Sequence, residues 1–250
     1  MDTVHITRVA EARWEAVDEG RIIGQGDLSH RPDGRLFVSV DVWQDAVFDR
    51  LATAMLADLT APLHTLVGSD DQELKAKWER LGFTLGRRER EYVLPTAPVH
   101  APRLPEGVTI LPAGEADEAP LRALDRAIRE EVEATVGWRT MPAEVLPRPA
   151  GDTLVDPSKY AVAVRDGAYA GLIRVVPVRS RARIGLLAVR AGQRRHGIGR
   201  ALLAHALGAL HRGGIDSAWA EVDEANTAAI TLAEGFGARR SGGYLELVRP

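Results

Sequence analysis

The chain has 250 residues, 45% hydrophobic and 27% charged, which suits one large or two modest globular domains and excludes a fibrous or low-complexity chain. A formal net charge of -3 gives no electrostatic reason to expect nucleic acid or an anionic membrane as partner, and the absence of cysteine excludes disulfides, thiolate nucleophiles and cysteine-bound metals. The seven histidines lack paired metal-ligand spacing, no apolar run approaches the roughly 18 residues of a membrane span, and no basic segment followed by an apolar core opens the sequence, so the expected location is the cytoplasm.

In chain order, AVDEGRIIGQG (Ala16 to Gly26) sets two strand-like runs around Glu19 and Gly20 and predicts a β-hairpin. LFVSVDV from Leu36 predicts a third strand, followed by a helix, a strand, another helix and a last strand. The second helix ends as KWERLGF (Lys77 to Phe83), with Gly82 as its predicted cap. The stretch APVHAPRLPEG (Ala97 to Gly107) is proline-rich and aperiodic, which marks an interdomain linker. The expected organisation is therefore a lobe over 1–97, a linker over 98–107 and a second lobe over 108–250.

The second portion opens with a helical region in which Leu121, Leu124, Ile128, Val132 and Val136 form an apolar stripe and leave Asp125, Glu130, Glu131 and Glu133 on other faces. AVRDGAYAGLI (Ala163 to Ile173) predicts a second hairpin around Asp166 and Gly167, and IGLLAV from Ile184 predicts the strand after it. Leu202, Leu203, Ala206, Leu207 and Leu210 then recur with helical period until Gly213 and Gly214. A strand in AWAEVDE, an Asn-led helix in NTAAITLAEGFGA with Gly237 at its end, and a last strand complete the order. The same succession of elements occupies both portions, and internal duplication is the simplest account, with chance similarity of two α/β segments as the alternative.

Between the Ile184 strand and the Leu202 helix lies QRRHGIGRALL (Gln193 to Leu203). Gly197 and Gly199 let the backbone approach a ligand closely, the free N–H groups of the helix start face outward, and Arg194, Arg195 and Arg200 add positive charge. That combination suits a phosphate; an ordinary glycine-containing turn with solvated arginines is the alternative. The first portion reads DVWQDAVFDR (Asp41 to Arg50) at the same place, without a glycine or an arginine pair, and cannot form such a cradle.

The strand, RRHGIGRALL, strand and NTAAITLAEGFGA order resembles the GNAT superfamily of acyl-CoA-dependent N-acetyltransferases, with Arg194, Gly197 and Gly199 matching its Arg/Gln-x-x-Gly-x-Gly/Ala loop. The resemblance covers the second portion from about Val108 and the first in outline. It implies an α/β (α+β) fold of two tandem lobes, each a mixed, mostly antiparallel twisted sheet flanked by helices, the first lobe being degenerate. It also implies acetyl-CoA as acyl donor, no metal, and transfer of the acetyl group to a primary amine of a small molecule or peptide. The pantetheine arm would run along Leu187, Ala188 and Val189. The pyrophosphate would lie on Arg194, Arg195, His196, Gly197, Ile198, Gly199 and Arg200, with Asn226 near the thioester or capping its own helix.

AEVDEAN before the alanine-rich helix is most similar to N-terminal acetyltransferases of ribosomal proteins, which implies Glu221 as proton acceptor; a glutamate on a half-exposed strand is the alternative reading. The tyrosine that protonates the departing thiolate in that family is replaced by Ala233, and its counterpart in the first portion is Trp78. Tyr244 is a further tyrosine that could approach the cavity, with a core or edge role as the alternative. The acceptor is expected against Asp125 to Trp138, whose acidic residues would favour a cationic amine unless they form a solvated face. The implied protein is a monomer or homodimer without nucleic-acid or membrane partners; the competing function is an acyl-CoA-binding or sensing pseudoenzyme.

Overall fold

The computed structural model describes residues 4–60, 62–97, 104–135, 137 and 155–250. They form two compact units, one made of the described residues of 4–88 with 243–250 and the other of those of 89–242. Val136, Trp138 and most of the proline-rich stretch after Ala97 lie outside the described residues.

In the first unit, β1 (His5–Ala10), β2 (Arg13–Asp18), β3 (Arg21–His30) and β4 (Leu36–Val42) form an antiparallel run. The β2–β3 turn has Glu19 at φ 45° and Gly20 at φ 77°, two successive left-handed residues whose twist matches that of the flanking strands. Helix α1 (Asp45–Ala57) crosses to β5 (Leu63–Gly68), which pairs in parallel with β4 only at Leu36 with Leu63 and Phe37 with His64. Helix α2 (Gln72–Arg80) follows, and then β6 (Thr84–Pro95). The other neighbour of β5 is the last strand of the chain, β12 (Arg239–Arg249), in antiparallel register from Tyr244 opposite Gly68 to Arg249 opposite Leu63. Trp14, Phe48, Leu51, Met55, Trp78 and Phe83 fill the core between sheet and helices. The sequence missed β1, an edge strand that is mostly exposed and so lacks an apolar alternation.

In the second unit, β7 (Val108–Leu111), β8 (Tyr160–Arg165), β9 (Ala168–Val178) and β10 (Arg181–Val189) repeat the antiparallel run. The β8–β9 turn repeats the left-handed pair, with Asp166 at φ 51° and Gly167 at φ 77°. Helix α4 (Ile198–Arg212) leads to β11 (Ser217–Asp223), parallel to β10 only at Ala182 with Ala218 and Arg183 with Trp219. Helix α5 (Thr227–Glu234) follows. The far side of β11 pairs with residues 89–95 of β6, from Glu89 opposite Asp223 to Pro95 opposite Ser217. Each sheet is thus mixed and mostly antiparallel, and each is completed by a strand from the other half of the chain.

Helices cover both faces of the second sheet. Leu202, Leu203 and Ala206 of α4 pack with Ile173, Ile184, Ala218 and Val222, together with Ala233 and Phe236 from the α5 region. Helix α3 (Glu118–Glu133) buries Leu121, Leu124 and Ile128 against Val162, Leu172 and Leu186 on the opposite face. Asp125, expected off the apolar stripe and available to an acceptor, is instead 3% exposed in this interface. Arg129, one turn on, binds both its oxygens, Nε at 2.6 Å and Nη2 at 3.3 Å, which makes burial of the carboxylate tolerable.

Candidate functional site

Two backbone features of the second unit create the site. A bulge between Ile184 and Leu186 shifts the pairing of β10 with β9 and turns successive side chains onto new faces. Leu186 then belongs to the α3 side, while Leu187 and Val189 pack on the α4 side. Beyond Arg183, β10 has no pairing to β11, so among the described residues its backbone from Leu187 to Val189 has a strand neighbour on one edge, β9, while the Val189 carbonyl accepts from Arg194 Nε at 3.1 Å. A parallel sheet that parts in this way leaves a row of amides and carbonyls open to an extended ligand.

The second feature is the turn into α4. Arg195 at φ 68° and Gly197 at φ 80° are left-handed, and Gly197 is the residue before the first helical one, with no side-chain cap. The first helical amide with a backbone partner is that of Ala201, bound to Gly197 O at 3.0 Å. The N–H groups of Ile198, Gly199 and Arg200 therefore point out of the helix end, where the macrodipole is positive. A groove of ≈ 730 Å³ opens over them, lined by Val189, Gln193, Arg194, Arg195, Gly197, Ile198, Gly199 and Arg200 and, from α5, Thr227, Ala228, Thr231 and Leu232.

Most of the loop residues singled out in the sequence meet in this groove. Of the others, Leu187 stands beside it, its Cδ2 3.5 Å from where a Cβ of Gly199 would lie. Ala188 faces the α3 side of the sheet. His196 is exposed and outside the lining, and Asn226 precedes the lining residues of α5, its Oδ1 accepting the Ala229 N–H at 3.1 Å as a helix cap. Thr227 and Thr231 also line the groove, and a threonine inside an alanine-rich helix carries no distinguishing pattern in the sequence.

Glu221 lies outside the groove lining on β11, its side chain 16% exposed. Arg183 Nε donates to Glu221 Oε2 at 3.0 Å and Trp219 Nε1 to Oε1 at 3.2 Å. Across the strand pair it stands opposite Glu91, whose Oε1 accepts from Ser241 Oγ at 2.5 Å. Ala233 is buried in the core cluster, and Tyr244 sits in the first unit opposite Gly68, 40% exposed.

Of the acidic residues expected to face an acceptor on α3, Glu130 and Glu133 are exposed, and Asp125 and Glu131 are engaged within the protein. Besides the buried Asp125, Glu131 accepts from Arg190 Nε and from the Ala191 N–H, both at 2.6 Å. Burial pushes the Glu131 carboxyl up, but these hydrogen bonds and the charges of Arg190 and Arg194 outweigh it and hold the group below the usual glutamate value. Among the described residues no group of side chains is arranged to hold a metal ion, and no helix is long and apolar enough to cross a membrane.

The first unit has the same parting of strands without the cradle. Its α1 begins with Asp45, bound to Lys77 Nζ at 2.8 Å, and Trp78 packs edge-on against Phe48 and Phe83 in the core. The α2 and α5 ends are built alike. Gly82 and Gly237 are both left-handed, and the carbonyls of Trp78 and Ala233 accept from Phe83 and Ala238 five residues on.

Residues 124–238 match the model of the acetyltransferase (GNAT) family. The mycothiol acetyltransferase of Thermobispora bispora is 34% identical over 155 residues, 58% of this chain and 51% of that protein. The mycothiol acetyltransferase of Salinispora arenicola is 31% identical over 209 residues, 80% of this chain and 67% of that protein. The chain thus spans about half the length of the first of these relatives. Among solved structures, a tandem GNAT protein from the clavulanic acid biosynthesis pathway shares the fold with a TM-score of 0.64 at 16% identity, over 99% of this chain and 83% of that one. The parted strands, the glycine turn between them and this level of identity across two thirds of a relative's length place the chain in the acetyltransferase (GNAT) family.

Proposed function

We propose that the second unit binds acetyl-CoA and transfers its acetyl group to a primary amine, and that the first unit carries no donor site. The observation that carries this reading is the coincidence of a strand edge that β11 leaves unpaired, Leu187 to Val189, with an uncapped, glycine-led helix start beside a single groove. Space and charge both fit the donor. Gly197 holds the left-handed turn, the amides around Gly199 face the groove, and Arg194, Arg195 and Arg200 supply positive charge for a pyrophosphate. The pantetheine arm extends the sheet along β10, with Asn226 at the head of α5.

The donor supplies an activated acyl carbon. Transfer forms a C–N bond to a neutral amine and breaks the C–S bond, releasing a thiolate and one amine proton. An amine with a pKa of about 8 to 10 is mostly protonated near neutral pH, so a base must remove a proton. Glu221 is the residue we assign to that role, directly or through water. Arg183 and Trp219 fix its orientation. Ala233 supplies no acid, and a thiolate with a pKa near 8.5 leaves largely without one. The name of the two relatives puts a mycothiol-type acceptor first among the amines to be tried.

A second reading, a donor-binding protein without transfer, is favoured by Ala233 and by the pairing of Glu221 with Arg183. One experiment separates them: titration calorimetry with acetyl-CoA, followed by thiol release across mycothiol-type, peptide, aminoglycoside and polyamine acceptors. Binding with amine-dependent thiol release supports the enzyme; binding without release supports the second reading; no binding overturns both.

A further inference from the structure

We propose that Glu131, on α3, is a positioning residue for the donor loop: it holds the turn between β10 and α4 from behind, so that the amides of Arg195 to Arg200 are arranged before the donor arrives. The inference rests on the donor-site reading above. Three independent contacts carry it. The Glu131 carboxylate accepts Arg190 Nε through Oε1 and the Ala191 N–H through Oε2, each at 2.6 Å, and Arg194 Nη2 lies 4.0 Å from Oε2. These partners are the residues that lead out of β10 into the turn.

The hydrogen bonds downstream continue the same brace. Arg194 Nε donates to Val189 O at 3.1 Å, folding the loop back on the end of β10, and Arg165 Nη1 donates to Gln193 Oε1 at 3.0 Å. Held this way, the loop passes through the left-handed Arg195 and Gly197 into the uncapped start of α4. Arg190, Arg194, Arg195 and Arg200 are four like charges within eleven residues, and without a donor nothing else described in the loop is anionic. Glu131 offsets part of that repulsion, and it comes from a helix rather than from the loop itself. Its side chain is 21% exposed, which strengthens its charge-assisted bonds relative to a fully solvated pair. A loop arranged in advance spares the ligand the cost of ordering it.

A donor lacking the pyrophosphate is the discriminating probe. Binding of acetyl-CoA and of S-acetylpantetheine is measured for the wild type, Glu131→Ala, Glu131→Gln and Arg190→Gln, with thermal unfolding of each. Glu131→Ala is expected to weaken acetyl-CoA at least tenfold, or about 1.4 kcal/mol, and to leave S-acetylpantetheine within about twofold. Glu131→Gln, which keeps an oxygen for the Ala191 N–H without the charge, is expected to fall between, and it serves as the test if the alanine variant does not fold. Equal weakening of both donors would show a general tether, and unchanged affinity for acetyl-CoA would show no role; either overturns the inference while leaving the donor site intact. Failure of the wild type to bind acetyl-CoA overturns the donor site itself, and this inference with it.

Discussion

Arg183 on β10 and Glu221 on β11 are joined at 3.0 Å next to the last cross-strand contact before the two strands part. The pair holds the Glu221 carboxylate beside the point where the strands part, and in the reaction proposed above that carboxylate takes the amine proton. Glu221→Gln is expected to lower turnover more at pH 6.5 than at pH 9, because the fraction of amine needing deprotonation falls as pH rises toward its pKa. Steady-state rates of both proteins across that range give the ratio, and a ratio independent of pH removes Glu221 from the base role.

The two loop glycines have different duties. Gly197, at φ 80° and with Pro105 Cγ 3.3 Å from where a Cβ would lie, is required by the backbone, so Gly197→Ala should cost about 1–2 kcal/mol of stability. Gly199 has ordinary backbone angles and only ordinary contacts around such a Cβ, at 3.5 Å or more. Gly199→Val should therefore leave the melting temperature nearly unchanged and weaken acetyl-CoA by more than about tenfold, as its methyls enter the groove between Val189 and Leu232. Calorimetric binding and unfolding on the same samples separate the two effects.

Trp78 and Ala233 answer to one another in the two units. Trp78 is 2% exposed against Phe48 and Phe83, so Trp78→Ala should destabilise by about 3–5 kcal/mol without altering donor affinity. Ala233 is 6% exposed in a filled core, and Ala233→Tyr is expected to cost about 1–3 kcal/mol through overpacking. Denaturant unfolding gives both values; a stable Ala233→Tyr with raised turnover contradicts the second.

In the first unit, Glu246 accepts from Arg35 Nη1 at 2.8 Å and pairs with His64 Nδ1 at 2.8 Å. Burial pushes its carboxyl up, but the His64 hydrogen bond and the charges of Arg35, His64 and Arg87 outweigh it and hold the group below the usual 4.5. A lowered carboxyl stabilises fully above its unfolded value, and that contribution is lost as pH falls through the folded one. Thermal unfolding should therefore show the gap between wild type and Glu246→Gln closing as pH falls below 4.5.

Features with local causes were readable in the sequence. Glu19 and Gly20, Asp166 and Gly167, and the end glycines Gly82 and Gly237 all take the left-handed conformations their turns demand. Gly197, singled out for the freedom of its backbone, is left-handed as well. Asp125 was misplaced because charge was equated with solvent, although Arg129 four residues later was the visible sign of a pair that could be buried. Glu131 stands out in the sequence only as one acidic residue of the helix, since Arg190 and Ala191 lie about sixty residues away and only the fold brings them together. The pairing of β6 with β11 and of β12 with β5 is likewise long-range, and neither apolar alternation nor turn residues specify a neighbour so distant.

The exchange of final strands makes the two halves of the chain hostage to one another during folding. A fragment beginning at Val108 would retain the whole groove yet lack β6, leaving β11 from Ser217 to Asp223 without its antiparallel neighbour. Conversely, a nascent chain that has emerged only as far as Pro95 still lacks the strand that covers β5. The first sheet therefore lacks one of its strands until residues 243–250 have been made, after every strand of the second.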